Sequence, residues 1–186
     1  MSNVYILPHL IGAISTLSLT LVILLLLRIA KINKETANIL RAVLDNTDAT
    51  RFSIMKAYNK NTSVDVSIID CKVCDYRPPL GDTYFDYNNF VVGHEFSKLI
   101  KQLIERPSVV LTVSTKDLEY SILKQLLMSS NVTIIKVFAI HKSRNSITFG
   151  FIEFYDSDLK VSLSNEVTIL IAVNKLRNLK NAKWIL

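Results

Sequence analysis

The feature that most constrains this chain of 186 residues is an uncharged, strongly apolar run from Leu10 to Leu27. At roughly 1.5 Å of helical rise per residue, such a run spans about 27 Å, which is close to the hydrocarbon thickness of a bilayer. Three cations follow within seven residues, namely Arg28, Lys31 and Lys34. The sequence therefore predicts a transmembrane anchor over residues 1–28, with the lipid bilayer as a partner.

Two other interpretations of this run fit the residues less well. A cleaved signal peptide begins with cations and ends at a small-residue cleavage site, whereas residues 1–9 hold no Lys or Arg and the run ends in four leucines before Arg28. A buried helix that is apolar on every face needs a larger protein around it. We expect a retained, single-pass helix.

The same cations predict the orientation of the chain in the membrane. Cytoplasmic flanks are enriched in Lys and Arg, and here all the flanking cations lie on the C-terminal side of the run. Residues 28–186 are therefore expected in the cytoplasm, with Arg28, Lys31 and Lys34 at the membrane surface. In that compartment the two cysteines would be reduced thiols.

The formal net charge of +6 does not belong to a nucleic-acid motif. Its cations are divided among the segment after the span, the middle of the chain and the tail, and no zinc-finger, helix-turn-helix or RNP-like pattern accompanies them. Anionic lipid headgroups explain the two terminal clusters more simply. The sequence predicts no nucleic-acid partner.

The residues after the anchor follow helical and strand periodicities in turn. Helical spacing continues directly from the span, so we expect a juxtamembrane linking helix over residues 29–47 and one globular domain over residues 48–186. The predicted order is helix 32–46, strands 51–58 and 64–73, loop 75–92, helix 95–105, strand 109–113, helix 116–128, strands 131–141 and 146–155, and helix 159–179. This order predicts an α/β (α+β) fold: a mostly antiparallel sheet flanked by helices, with the first and last helices covering one face.

Two short stretches resemble the GAF domain family and the related PAS-like domains. Asp48-Ala-Thr-Arg-Phe-Ser-Ile54 with Tyr58-Asn59 is similar to the first-strand pattern of GAF domains, although a tyrosine stands where that pattern has a histidine. Phe149-Gly-Phe-Ile-Glu-Phe154 resembles the glycine-bearing last strand that precedes the final helix. The resemblance covers about residues 32–180. It implies a GAF-like sensory or interaction module.

The arrangement of one span, a linking helix and a compact domain is also similar to the holins of T-even phages. Those proteins form lesions in the inner membrane of the host, so the alternative function is a holin-like lysis protein. In that family the globular domain lies in the periplasm and the N-terminal flank is cationic. Here the cation bias is reversed.

Cys71-Lys-Val-Cys74 is the only motif-like spacing in the chain. A metal site needs about four ligands, and no second Cys or His pair stands elsewhere in the sequence. In an extended strand, residues i and i+3 face opposite sides, so the two sulfurs are expected to diverge. We predict structural cysteines and no metal, with a metal or redox pair at Cys71 and Cys74 as the alternative.

Candidate ligand-binding residues lie in and after the long aromatic loop. They are Tyr84, Tyr87, Phe90 and His94. The GAF resemblance implies that this region lids a ligand cavity over the sheet. The alternative is that the aromatic rings anchor the loop to the core and that His94 serves at a helix start.

Enzyme signatures are missing from the sequence. It contains no glycine-rich phosphate loop, no H-E-x-x-H, no G-x-S-x-G and no kinase motif. We therefore predict a protein that is not an enzyme, with no catalytic residue and no cofactor.

Self-association is predicted from the helix that follows the span. An apolar stripe formed by Ile32, Ile39 and Val43 could pair with a second copy, and small polar residues within the span favour close helix packing. We expect a homo-oligomer through the transmembrane and juxtamembrane helix, and a protein partner for the domain.

Overall fold

The computed structural model describes residues 6–59, 67–76, 90–92, 94–119, 122–143, 146–155 and 163–179. Its four helices are α1 (Ile6–Asn46), α2 (His94–Glu105), α3 (Ile122–Ser129) and α4 (Leu163–Leu179). Its six strands are β1 (Arg51–Asn59), β2 (Ser67–Tyr76), β3 (Phe90–Val92), β4 (Val110–Ser114), β5 (Ile134–Lys142) and β6 (Ser146–Phe154).

The six strands form one sheet in the order β3-β2-β1-β6-β5-β4. Every neighbouring pair is antiparallel, which confirms the predicted type of sheet. β1 and β6, the first and last strands of the chain, lie side by side at the centre. The α/β fold class expected from the periodicities is therefore the observed one.

Helices cover both faces of this sheet, and the alternation within β1 shows how. Phe52 and Ile54 face a core shared with α1 and α4, whereas Met55 and Ala57 face a core shared with α2 and α3. We call these the α1/α4 face and the α2/α3 face. The prediction that the first and last helices cover one face is confirmed, and it follows from side chains that alternate along each strand.

Helix α1 joins the apolar run to the globular core without a break. It is 41 residues long, and within the described residues it is the one helix long and apolar enough to cross a membrane. Its residues 16–28 are exposed, whereas Leu40 and Leu44 are fully buried on the α1/α4 face. The helix ends where the Thr47 hydroxyl donates to the Val43 carbonyl at 2.8 Å, which satisfies one of the last carbonyls.

Two element predictions were wrong. The helix expected over 116–128 is a short 3-10 turn (Thr115–Asp117) followed by α3. The predicted helix is interrupted at Leu118, whose backbone is extended (φ −65°, ψ 137°), and Ser114 caps the short turn by accepting a hydrogen bond from the Lys116 backbone N–H at 3.3 Å. The loop expected over 75–92 contains β3, an edge strand that is too short to show a periodicity.

Gly150 allows the central strands to pack closely on the α1/α4 face. It pairs with Phe138 across β6 and β5, and a Cβ at this glycine would lie 2.2 Å from the tip of the Phe138 ring. The same ring meets Phe52 edge to face, with 5.9 Å between the ring centres. The glycine of the last strand is therefore required by an aromatic ring that lies over it.

Candidate functional site

A β-bulge in β2 places both cysteines on the same face of the sheet. Ile54 pairs with Val73 but Met55 pairs with Cys71, so Lys72 is an extra residue in β2. The extra residue resets the side-chain alternation. Cys71 and Cys74 consequently both lie on the α2/α3 face, opposite Met55 and Ser53. The expectation that the two sulfurs diverge was wrong.

The two thiols contact each other and their neighbours on β1. The Cys71 side chain neighbours Cys74 closely enough to lower the pKa of its thiol. The Ser53 hydroxyl donates to the Cys74 sulfur at 3.3 Å, and the Arg51 guanidinium also hydrogen-bonds it. Both cysteines are free thiols and partly exposed. Cys74 is therefore surrounded by hydrogen-bond donors.

A buried ion pair lies beside the thiols. Arg51 of β1 and Glu153 of β6 are direct cross-strand partners, with 3.7 Å between Nε and Oε1, and their side chains are only 5% and 2% exposed. Removing two such charges from water costs about as much as their attraction returns. The pair therefore adds little to stability, but it sets the electrostatic field at this end of the α2/α3 face.

The neighbouring groups shift the pKa values of Cys74 and Tyr155. The pKa of Cys74 is lowered from 9.0 to about 5, chiefly by the hydrogen bond from Cys71, with Arg51 and Ser53 adding to the effect and burial opposing it. The pKa of Tyr155 is raised, first by burial and then by the Glu153 carboxylate. At neutral pH the site thus holds a Cys74 thiolate, the form of cysteine that acts as a nucleophile or a metal ligand.

We call these residues the thiolate cluster: Arg51, Ser53, Cys71, Cys74 and Glu153. In the described part of the chain, no group of three or more His, Cys, Asp or Glu side chains converges to hold a metal ion. Two thiols by themselves do not complete a zinc site. The chemistry that the cluster offers is that of an activated dithiol.

The structure does not describe the side chains of the other sequence-predicted site residues. Tyr84 and Tyr87 lie outside the described residues. Phe90 begins β3 and pairs with Ile69, and His94 begins α2; for both residues the structure describes the backbone only. The aromatic lid over a ligand cavity therefore stays a prediction.

The sequence analysis missed Arg51, Ser53 and Glu153 as site residues. A signal was present, because each charge occupies a core-facing position of a strand. Arg51 has the same parity as buried Met55 and Ala57, and Glu153 the same parity as buried Phe149 and Phe151. A charge at such a position needs a partner, and the sheet supplies it across β1 and β6.

No family model and no curated protein matches the chain. Among solved structures it is similar to the GAF domain of a two-component sensor histidine kinase from Bacillus halodurans, with 16% identity, a TM-score of 0.56 and coverage of 83% of this chain and 95% of that one. It is also similar to a GAF domain/HD domain protein from Geobacter sulfurreducens, with 10% identity, a TM-score of 0.58 and the same coverages of 83% and 95%.

A third similar structure is the GAF domain region of a candidate membrane protein from Geobacter sulfurreducens PCA. The identity is 8%, the TM-score 0.56, and the match covers 86% of this chain and 97% of that one. Likeness at these identities shows the fold, so the GAF-like fold implied by the sequence resemblance is confirmed. The comparisons give no support to the holin-like alternative.

Proposed function

We propose that this protein is a membrane-anchored sensory or interaction module that is not an enzyme, in which helix α1 ties a GAF-like domain to the bilayer. The observation that carries the proposal is the continuity of α1. One helix contains the exposed apolar segment of residues 16–27 and also contributes Leu40, Val43 and Leu44 to the buried core. A domain held in this way has a defined orientation relative to the membrane.

The exposed segment supports the anchor. Its side chains are large and apolar, and the least exposed of the leucines, Leu25, is still 44% exposed, while Leu17 reaches 76%. A contiguous apolar surface of this kind marks a membrane or protein contact rather than a free surface in water. Because the segment is a continuous helix of membrane-spanning length, the bilayer is the contact we propose.

Membrane extraction tests the anchor. The double variant Leu21→Arg/Leu25→Arg puts two charges in the middle of the span, each costing about 3 kcal/mol at the bilayer centre. We expect the protein to move from the carbonate-resistant membrane fraction to the soluble or aggregated fraction. The matched control is Leu170→Arg, a half-exposed position on α4, which should stay in the membrane. Loss of membrane association in both variants, or in neither, contradicts the anchor.

The orientation belongs to the same proposal. Arg28, Lys31 and Lys34 are exposed on α1 immediately after the apolar segment, where they can meet a cytoplasmic membrane surface. We expect a C-terminal reporter to behave as cytoplasmic. Replacing these three cations with Gln and adding Lys near Asn3 should weaken or invert the orientation. A wild-type fusion that is active only outside the cytoplasm contradicts this placement.

The proposal includes self-association, but through different residues from those expected. Ile32 and Val43 are 8% and 1% exposed and pack inside the chain, so of the predicted stripe of Ile32, Ile39 and Val43 only the half-buried Ile39 is available to a partner. The exposed apolar residue next to α1 is Ile171 of α4, which is 51% exposed. It lines, with Ile39, a cavity of about 280 Å³ between α1 and α4. We place the contact between copies along the span and this α1–α4 surface.

The oligomeric state in detergent tests this contact. Ile171→Asp introduces a charge on the proposed surface and should shift the population toward monomer. Ile122→Asp on α3 is the control, because Ile122 is also exposed but lies on the opposite side of the sheet. A monomeric wild type, or equal behaviour of the two variants, contradicts self-association through α1 and α4.

A further inference from the structure

The thiolate cluster contains a pair of sulfurs that the anchoring function does not use. The bulge at Lys72 places Cys71 and Cys74 on one face of β2, and the Ser53 hydroxyl donates to the Cys74 sulfur at 3.3 Å. Cys71 lies opposite Met55 and Cys74 opposite Ser53, so the two side chains are neighbours along one face of β2, and a disulfide forms when their sulfurs approach to about 2.05 Å. The chain has no other cysteine, so any reaction of this pair stays within it or links two copies.

We propose that Cys71 and Cys74 form a redox site, in which a hydroperoxide oxidises the two thiols to an intrachain disulfide and a thiol reductant restores them. Cys74 is the attacking residue and Cys71 the resolving residue. This assignment concerns the chemistry of the globular domain and does not rest on the proposed membrane anchor.

The surroundings of the two sulfurs assign these roles. Cys74 receives hydrogen bonds from Ser53, Arg51 and Cys71, and these donors together with the positive charge of Arg51 hold its pKa at about 5. Cys71 packs against the α2/α3 core, and its sulfur lies 3.8 Å from the Val73 carbonyl. Since the thiolate is the form that attacks peroxides and disulfides, Cys74 reacts first.

The reaction balances in two steps. The Cys74 thiolate attacks one oxygen of the hydroperoxide, the O–O bond breaks, and the leaving alkoxide or hydroxide takes a proton from solvent. Cys74 is then a sulfenic acid. The Cys71 sulfur attacks this sulfur, an S–S bond forms, and the hydroxyl of the sulfenic acid leaves as water with the proton of the Cys71 thiol. Two electrons pass from the pair of thiols to the hydroperoxide.

Oxidation changes the electrostatics of the buried ion pair. In the reduced state Arg51 lies near two anions, the Cys74 thiolate and the Glu153 carboxylate. The disulfide removes the thiolate charge and ties the two ends of the bulge together. This change of charge therefore acts on the two central strands, because Arg51 belongs to β1 and Glu153 to β6.

The test uses the full chain in detergent. The reduced protein is treated with a small excess of hydrogen peroxide, free thiols are blocked with iodoacetamide, and the intact mass is measured. We expect a species that has lost the mass of two hydrogen atoms, carries no alkyl group and returns to the doubly alkylated form after dithiothreitol. Two free thiols after peroxide, or a disulfide found only between two chains on a non-reducing gel, would overturn the proposal.

Two single variants assign the roles. In Cys71→Ser the sulfenic acid on Cys74 should persist and be trapped by dimedone, whereas in Cys74→Ser dimedone should add little. At pH 6, iodoacetamide should alkylate Cys74 of the reduced wild type at least about tenfold faster than Cys71, as measured on tryptic peptides, which separate the two cysteines at Lys72. Circular dichroism checks that both variants are folded. Equal alkylation rates of the two cysteines would remove the basis for Cys74 as the attacking thiol.

Discussion

The two faces of the sheet are built from the same strands and differ in their chemistry. On the α1/α4 face, β1 and β6 contribute Phe52, Ile54, Ile152 and Phe154, all fully buried. On the α2/α3 face, the start of β1 contributes Arg51 and Ser53, and the end of β6 contributes Glu153. These side chains are also buried, but they are polar or charged.

This difference separates what stabilises the domain from what gives it reactivity. Apolar burial accounts for most of the α1/α4 face, where the buried Lys136 reaches the half-exposed Glu166 of α4 at 3.5 Å. The Arg51–Glu153 pair is not explained in that way, since burying an ion pair seldom improves on hydrophobic residues of the same volume. Its effect is instead felt at Cys74, whose thiolate it stabilises through Arg51. Both faces therefore hold apolar cores that stabilise the fold, and the α2/α3 face also carries the buried charges beside Cys74.

The largest effect on stability is expected from removing one charge of the Arg51–Glu153 ion pair and keeping the other. Glu153→Leu leaves the Arg51 guanidinium buried beside an apolar side chain and should cost about 3–5 kcal/mol of unfolding free energy. The double variant Arg51→Met/Glu153→Leu removes both charges and should recover most of the loss. Chemical denaturation in detergent, followed by circular dichroism, measures both. A double variant as unstable as the single one contradicts the electrostatic interpretation.

A smaller loss is expected on the apolar face from Gly150→Ala. The added methyl group meets the Phe138 ring, which must move out of a filled core, so we expect a cost of about 1–3 kcal/mol. The double variant Gly150→Ala/Phe138→Leu removes the clash and should be more stable than the two separate losses predict. The melting temperatures of the wild type, the two single variants and the double variant are measured in one detergent. If the two single losses add up to the loss in the double variant, the Phe138 ring does not cause the loss in Gly150→Ala.

The thiolate cluster also predicts a pH dependence of stability. The pKa of Cys74 is lowered from 9.0 to about 5, so its thiolate stabilises the folded state fully above about pH 9, and this contribution is lost as the pH falls toward 5. The groups facing it are Arg51 of β1, Glu153 of β6 and Cys71 of β2. Tyr155 stays protonated in this range because its pKa is raised.

The measurement is the difference in stability between the wild type and Cys74→Ser at several pH values. The wild type should lose stability relative to the variant between pH 9 and pH 5. The difference in thiolate absorbance at 240 nm between the wild type and Cys74→Ser provides a direct check. A flat difference across this range would mean that Cys74 has an ordinary pKa.

The smallest effect is expected from an ion pair that belongs to neither face. Lys98 Nζ lies 2.9 Å from Glu119 Oε1, but the two side chains are 54% and 60% exposed. Exposed pairs contribute between about 0.2 and 1 kcal/mol. Glu119→Gln should therefore change the melting temperature far less than Glu153→Leu. A comparable loss in both would show that burial is not what makes the Arg51–Glu153 pair sensitive.

Much of the fold was predictable because the periodicity of apolar residues within short segments indicates helices and strands. The alternation of Phe52 and Ile54 against Met55 and Ala57 predicted a strand over residues 51–58, and the structure confirms it as β1. Apolar residues at helical spacing predicted α2 and α4 to within a few residues. β3 and the 3-10 turn at Thr115–Asp117 were missed, because three residues are too few for a period to be recognised.

The candidate site was far less predictable. Cys71 and Cys74 were recognised as a pair, but the alternation rule placed their sulfurs on opposite faces, since a single inserted residue leaves no mark on a short strand pattern. Arg51 and Glu153 stand 102 positions apart in the chain and meet only because β1 and β6 are neighbours. No local pattern contains that adjacency.

The sequence by itself determined the membrane-length apolar segment, the periodic faces of the helices and strands, and the GAF-like resemblance, because each depends on residues close together in the chain. Only the tertiary structure decided that Ile32 and Val43 face inward, that the bulge at Lys72 brings the two thiols together, and that Arg51 meets Glu153. The reason is physical. Strand register and helix docking are set by the packing of the whole core, and the reactivity of a thiol depends on the charges that packing places beside it.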